Sequence, residues 1–135
     1  MDIKELAKNI IVALNIVSKE NVMIDVITSD WNGEKPEIRI TSEPSKPEDE
    51  TQFGAISETT VMGIHVLADV KQRQEVIALK KRAADAVLAK FEELEQQRGS
   101  GILCIIPVEH NSFQIPNTEV FQAFTNFQIL HFPTL

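Results

Sequence analysis

The groups in this chain with chemical potential are few: His65, His110 and His131, the single Cys104, Ser100 between two glycines, and the carboxylates Glu92, Glu93 and Glu95. A metal centre or a general acid–base pair needs several such groups to converge. His65 and Asp69 have the spacing of two ligands on one helical turn, but they lie in a segment that reads as strand. His65 and His131 become candidates for a two-histidine site if the two long extended segments that carry them pair. Gly99-Ser100-Gly101 reads as a helix stop and turn, with no adjacent base to activate Ser100. The glutamates read as a solvated helix end, where nothing would raise a pKa for acid catalysis. No phosphate-cradling glycine loop, nucleophile elbow or paired-cysteine motif occurs. Cys104, within Gly101-Ile102-Leu103-Cys104-Ile105-Ile106, reads as a small buried hydrophobe, and a lone cysteine forms no intrachain disulfide. The expectation is a protein that is not an enzyme and requires no metal or cofactor.

The elements that would position these groups belong to a chain of 135 residues, the size of one domain (1–135) that can bury a core without disulfides. The formal charge of −7 argues against broad nucleic-acid binding, which relies on Lys and Arg meeting phosphates, and favours protein partners. No apolar run approaches the roughly 20 residues of a membrane-spanning helix. Met1-Asp2-Ile3-Lys4-Glu5 lacks the basic region and cleavage site of a signal peptide and does not read as one; the lone cysteine fits a cytoplasmic origin.

Ile3, Leu6, Ala7, Ile10, Leu14 and Val17 recur at helical spacing and predict a first helix. Val12 and Ile16 fall on nearly its opposite face, which leaves burial within the monomer or contact with another subunit. Val22 to Thr28 and Glu37 to Thr41 flank Asn32-Gly33 and predict a hairpin, with Trp31 at its tip as a partner anchor or a folded-back core residue. Glu43 to Thr51 reads as an acidic, Pro-containing mobile loop. Ala55 to Val70 predicts an unusually long strand with Thr60, Met62, Ile64, Val66 and Ala68 on the core face, and Gly63 offers a place for a bulge or bend. Val76, Leu79, Ala83, Val87, Phe91 and Leu94 mark a long helix from near Gln72 to Arg98. After it come a short strand, Ile102 to Ile106, a loop from Pro107 to Asn117, and a long strand from Thr118 toward Phe132. That last strand carries Phe121, Ala123, Phe127 and Ile129 on one face and Val120, Phe124, Leu130 and Phe132 on the other, a pattern that implies burial on both sides. The fold class predicted is α+β: a mainly antiparallel sheet with two helices packed mostly on one side.

This order of elements resembles the tail-terminator (minor tail) proteins of long-tailed bacteriophages and prophages. The resemblance rests on Ile56-Ser57-Glu58-Thr59-Thr60-Val61-Met62-Gly63-Ile64-His65-Val66 leading into the long helix, and on the closing Val120-Phe121-Gln122-Ala123-Phe124-Thr125-Asn126-Phe127-Gln128-Ile129. It implies a virion structural protein that assembles in the host cytoplasm and resides in the tail. Its subunits would form a ring, hexameric in the family, that stacks on the last ring of tail-tube protein, stops polymerisation and faces the head–tail connector protein. Val12, Ile16, Trp31, Val120, Phe124 and Phe132 are the expected protein-interface residues, on the apolar positions a monomer would leave uncovered. The competing reading is a small acidic secretion chaperone or adaptor that dimerises and binds a protein client; a small enzyme using His65 or His131 is the third.

Overall fold

The computed structural model describes residues 2–26, 35–43, 46–47 and 57–132. Asp2 starts the first helix, α1 (Ile3–Ala13), because its carboxylate accepts from the otherwise unpaired amides of Lys4 and Glu5. The helix buries Ile3, Ala7 and Ile11, with Leu6 and Ile10 on the margins of that stripe. It stops where Asn15 takes a left-handed conformation (φ 55), so the predicted Leu14 and Val17 lie beyond its last turn and Ile16 is not on the helix.

β1 (Val22–Ile24) ends at Asp25, which has φ 61 and is held by Lys4 Nζ at 2.7 Å from both carboxylate oxygens. β2 (Glu37–Ser42) pairs with β1 in parallel, Val22 opposite Ile38 and Ile24 opposite Ile40. The predicted hairpin is therefore wrong: parallel neighbours need the chain to return to the same end of the sheet, which a tight Asn-Gly turn cannot do. Trp31, Asn32 and Gly33 lie outside the described residues, as does most of the expected acidic loop.

β3 (Lys46–Pro47) is a two-residue strand on the edge of β4 (Glu58–Asp69). Asp69 accepts from the Lys71 amide and so caps the single helical turn that leads into α2 (Arg73–Glu95). β5 (Ile102–Gln114) and β6 (Val120–His131) close the described chain. The main sheet runs in the order β1-β2-β4-β6-β5, antiparallel except for β1 with β2.

The predicted α+β architecture holds: α1 and α2 pack on one face of the sheet. Thr60, Met62, Ile64, Val66 and Ala68 are all buried under the helices, as the alternation predicts. They meet Val76, Leu79, Ala83, Val87 and Phe91 of α2, also buried. Burying each larger member of that stripe contributes on the order of 1.5–3 kcal/mol.

The loop predicted from Pro107 to Asn117 is a second correction, since its residues up to Gln114 continue β5 to 13 residues. Residues 106–114 are exposed on both faces, so they carry no alternation to read, and they are extended because β6 pairs with them. The turn to β6 is tightened by Thr118 Oγ1 donating to the Ile115 carbonyl (2.8 Å) and by Asn117 at φ 63.

A candidate interface on the face away from the helices

The pairing registers place residues of four strands in rows across the face that the helices leave uncovered. Arg39 (β2), His65 (β4), Phe124 (β6) and Asn111 (β5) stand directly opposite one another in one row. The next row reads Thr41, Gly63, Asn126, Glu109, and the row on the other side reads Glu37, Leu67, Gln122, Phe113.

His65 is the centre of this arrangement. The Gln122 amide nitrogen donates to His65 Nδ1 (2.8 Å), which leaves the ring proton on Nε2 to be donated to Thr41 Oγ1 (3.1 Å). The ring stacks on Phe124 with centroids 5.6 Å apart, and Phe124 in turn receives the edge of Phe113 at 6.3 Å. Burial, and then the positive charge of Arg39, hold the His65 pKa below 6.5. Arg39 is only 5% exposed and its guanidinium is paired with Glu37 at 3.0 Å. The pair stays compensated because both residues sit two apart on one face of β2.

Gly63 makes the cluster possible. A Cβ there would lie 2.6 Å from His65 Nε2, 2.7 Å from Asn126 Oδ1 and 3.0 Å from Thr41 Oγ1. The pairing of β4 runs through Gly63 without a register shift, so of the bulge or bend expected there no bulge forms, and the glycine provides a gap for side chains.

Toward β5 the same face becomes a shallow groove of about 360 Å³ lined by Ser57, Thr59, Cys104, Ile106, Gln128 and Leu130. Cys104 is thus half-buried on this face, opposite Leu130, and not a core thiol as its apolar neighbours implied. The bulge between Ile102 and Cys104 shifts the strand's alternation and explains the difference.

The two histidines do not meet. His65 pairs with Phe124 while His131 pairs with Glu58, an odd number of residues along β4 that puts them on opposite faces. His131 is buried under the helices, where Nδ1 donates to the Phe132 carbonyl (2.7 Å) and Nε2 shares a hydrogen bond with the Thr60 hydroxyl (2.8 Å). His110 lies exposed on β5. Ser100 Oγ donates to the Leu94 carbonyl (2.6 Å) and accepts from Ile102 N–H (3.2 Å), so it acts as the helix stop predicted. Glu92 and Glu93 are solvated as expected, but Glu95 is half-buried and accepts from the Ile105 amide at 2.6 Å. Among the described residues, no three His, Cys, Asp or Glu side chains group to hold a metal.

Of the interface residues expected from sequence, Phe124 lies in the row described above and Phe132 follows β6 with 42% of its surface exposed. Val120 is buried, Val12 and Ile16 are half-buried against the monomer's own core cluster, and Trp31 lies outside the described residues. Arg39, Thr41, Gln122, Asn126 and Phe113 were missed, because only the strand register brings them to His65. A glycine in mid-strand beside a histidine was the one local sign of close packing.

Neither a protein-family model nor a curated protein sequence matches the chain. The fold is similar to that of a chain in the virion of a native gene transfer agent (GTA) particle. The TM-score is 0.52 at 15% identity, and the match covers 91% of this chain and 84% of that one. The likeness is one of fold: a small α+β architecture also found in a virion protein.

Proposed function

We propose that this chain is a structural subunit of a phage-like virion tail. It would close into a ring on the last ring of tail-tube protein, stop polymerisation by steric capping, and present its outer surface to the head–tail connector. The observation that carries the reading is the fold likeness to a GTA virion chain along nearly the whole length. The sheet face away from the helices supports it: around Phe113, Phe124, Gln122, Asn126 and Gln128 the exposed charge among the described strand residues is Glu109, while Arg39 and Glu37 are paired with each other, which is less charge than normally solvates an antiparallel sheet. A heterologous interface that closes would bury it. Phe124 and Phe132 are the ring contacts with apolar surface to contribute, and Val12, Ile16, Trp31 and Val120 complete the proposed set.

The test is to add the purified protein to polymerising tail-tube subunits and to image the products by electron microscopy. Tubes that stop growing and carry an extra ring of density at one end are expected. Tubes of unchanged length, with the protein instead bound stoichiometrically to an unfolded client, would replace this reading with the chaperone one.

A further inference from the structure

Among the described residues no strand pairs with the outer edge of β5, and that edge has two halves of different character. In an antiparallel ladder, the residues of a strand point their backbone N–H and C=O alternately toward one neighbour and the other. Ile115 N–H donates to the Val120 carbonyl, and Val70 N–H donates to the Glu119 carbonyl on the other side of β6. Carried along the register, this alternation turns Glu109, Asn111 and Phe113 toward β6. The amides and carbonyls of His110, Ser112 and Gln114 therefore face outward.

In the first half of the strand the outward donors are dealt with. The Ile105 amide is taken by Glu95 Oε1, Pro107 has no N–H, and the bulge between Pro107 and Glu109 interrupts the line. In the second half, among the described residues, the side chain of Asn111 covers one of them: its Oδ1 accepts from Ser112 N–H at 2.8 Å. That contact is between sequence neighbours and is released by one rotamer change. The edge beside it is apolar: Ile106 and Val108 are each 50% exposed and Phe113 38%. Edge strands that avoid pairing usually carry lysines or inward charges; the stretch from Glu109 to Gln114 has one carboxylate and no Lys or Arg.

We infer that the outer edge of β5 pairs antiparallel with the same edge of a second copy of this chain, about a two-fold axis through Ser112. The stretch is self-complementary. With Ser112 opposite Ser112 of the second copy, His110 faces Gln114, and all three outward residues exchange backbone hydrogen bonds. Phe113 then stands opposite Asn111 of the second copy, and Glu109 opposite Ile115. No like charges meet, because the two Glu109 carboxylates are separated by about 20 Å along the strands, beyond the screening length of about 8–10 Å. This matters for a chain of net charge −7, whose copies repel across most other surfaces. Pairing joins two sheets into one and covers the Ser112 amide that Asn111 guards in the monomer.

The inference concerns the free chain and does not rest on the tail reading. It is tested by sedimentation velocity over a concentration series, with circular dichroism of each variant. Ser112→Pro removes an outward N–H that β6 does not use, and Ser112→Lys places two ammonium groups face to face. The wild type should dimerise, and both variants should sediment as folded monomers. In hydrogen exchange, the amides of His110, Ser112 and Gln114 should gain protection as wild-type concentration rises, and lose it on dilution. A wild type that stays monomeric throughout would overturn the inference, as would an assembly of any size that both variants leave unchanged. Neither result would touch the tube-capping reading, which is decided by the tubes. If Ser112→Pro fails to fold, Ser112→Lys and the exchange data still decide.

Discussion

His65 has one ring nitrogen accepting from Gln122 and the other donating to Thr41, so a proton added to Nδ1 displaces an amide and adds a charge beside Arg39. The sign of the consequence follows from linkage. Below pH 6.5 the unfolded chain binds a proton at this residue that the folded chain resists, so the contribution of His65 to stability is complete above 6.5 and falls as pH drops toward the lower folded pKa. Urea denaturation at a series of pH values should show the wild type losing stability over that window more steeply than His65→Gln. A second residue-scale expectation concerns Gly63. Alanine there gains about 0.4–1 kcal/mol from a less flexible unfolded chain. It also forces His65, Asn126 and Thr41 apart, and overpacking of this kind costs about 1–3 kcal/mol. A net loss of stability is expected in equilibrium unfolding, and it should shrink in a His65→Ala background if the clash is the cause. The sequence singled out both residues, His65 for chemistry and Gly63 for a bend, but their relation needed the register of strands far apart in the chain.

At the scale of elements, what could be read locally was what local burial determines. The α2 stripe shows its period because one side is buried and the other is not, and the core face of β4 shows its own because Met62, Ile64, Val66 and Ala68 recur at every second residue. Two elements escaped for opposite reasons. The Asn-Gly pair gave a strong local hairpin signal that the parallel pairing of β1 with β2 overrides. The far half of β5 gave no signal, since it is exposed on both faces and, among the described strands, pairs with β6 alone. The contact between Glu95 and Ile105 ties the end of α2 to the start of β5 and closes that part of the edge. Glu95→Ala should therefore cost about 1.5–3 kcal/mol in chemical denaturation, as expected for a hydrogen bond to a charged group. The Ile105 amide should then exchange faster with solvent, while amides in the middle of α2 keep their protection.

For the molecule as a whole, the balance between its own core and contact with other copies can be tested where apolar surface remains. Under the ring reading, Phe132→Glu should leave the circular dichroism unchanged and abolish capping of tail tubes, because an unpaired carboxylate would have to be buried between subunits. Val12→Glu with Ile16→Glu should instead lower the melting temperature as well, since both residues pack against the monomer's core cluster. The overall class was legible from the order and periodicity of the elements, whereas the sheet order was not, because it is set by pairings that local sequence does not encode. That order has a further consequence, for synthesis. β6, which lies between β4 and β5, comes later in the chain than either, so β4 and β5 have no backbone partner in common until it emerges from the ribosome. An emerging chain can form its helices early, yet it must hold two halves of a sheet open for the whole time that β5 and its turn are being made. The sheet closes only once β6 is available to both neighbours. The cell's chaperones would therefore meet it as a chain with strand edges still open on both sides of the gap.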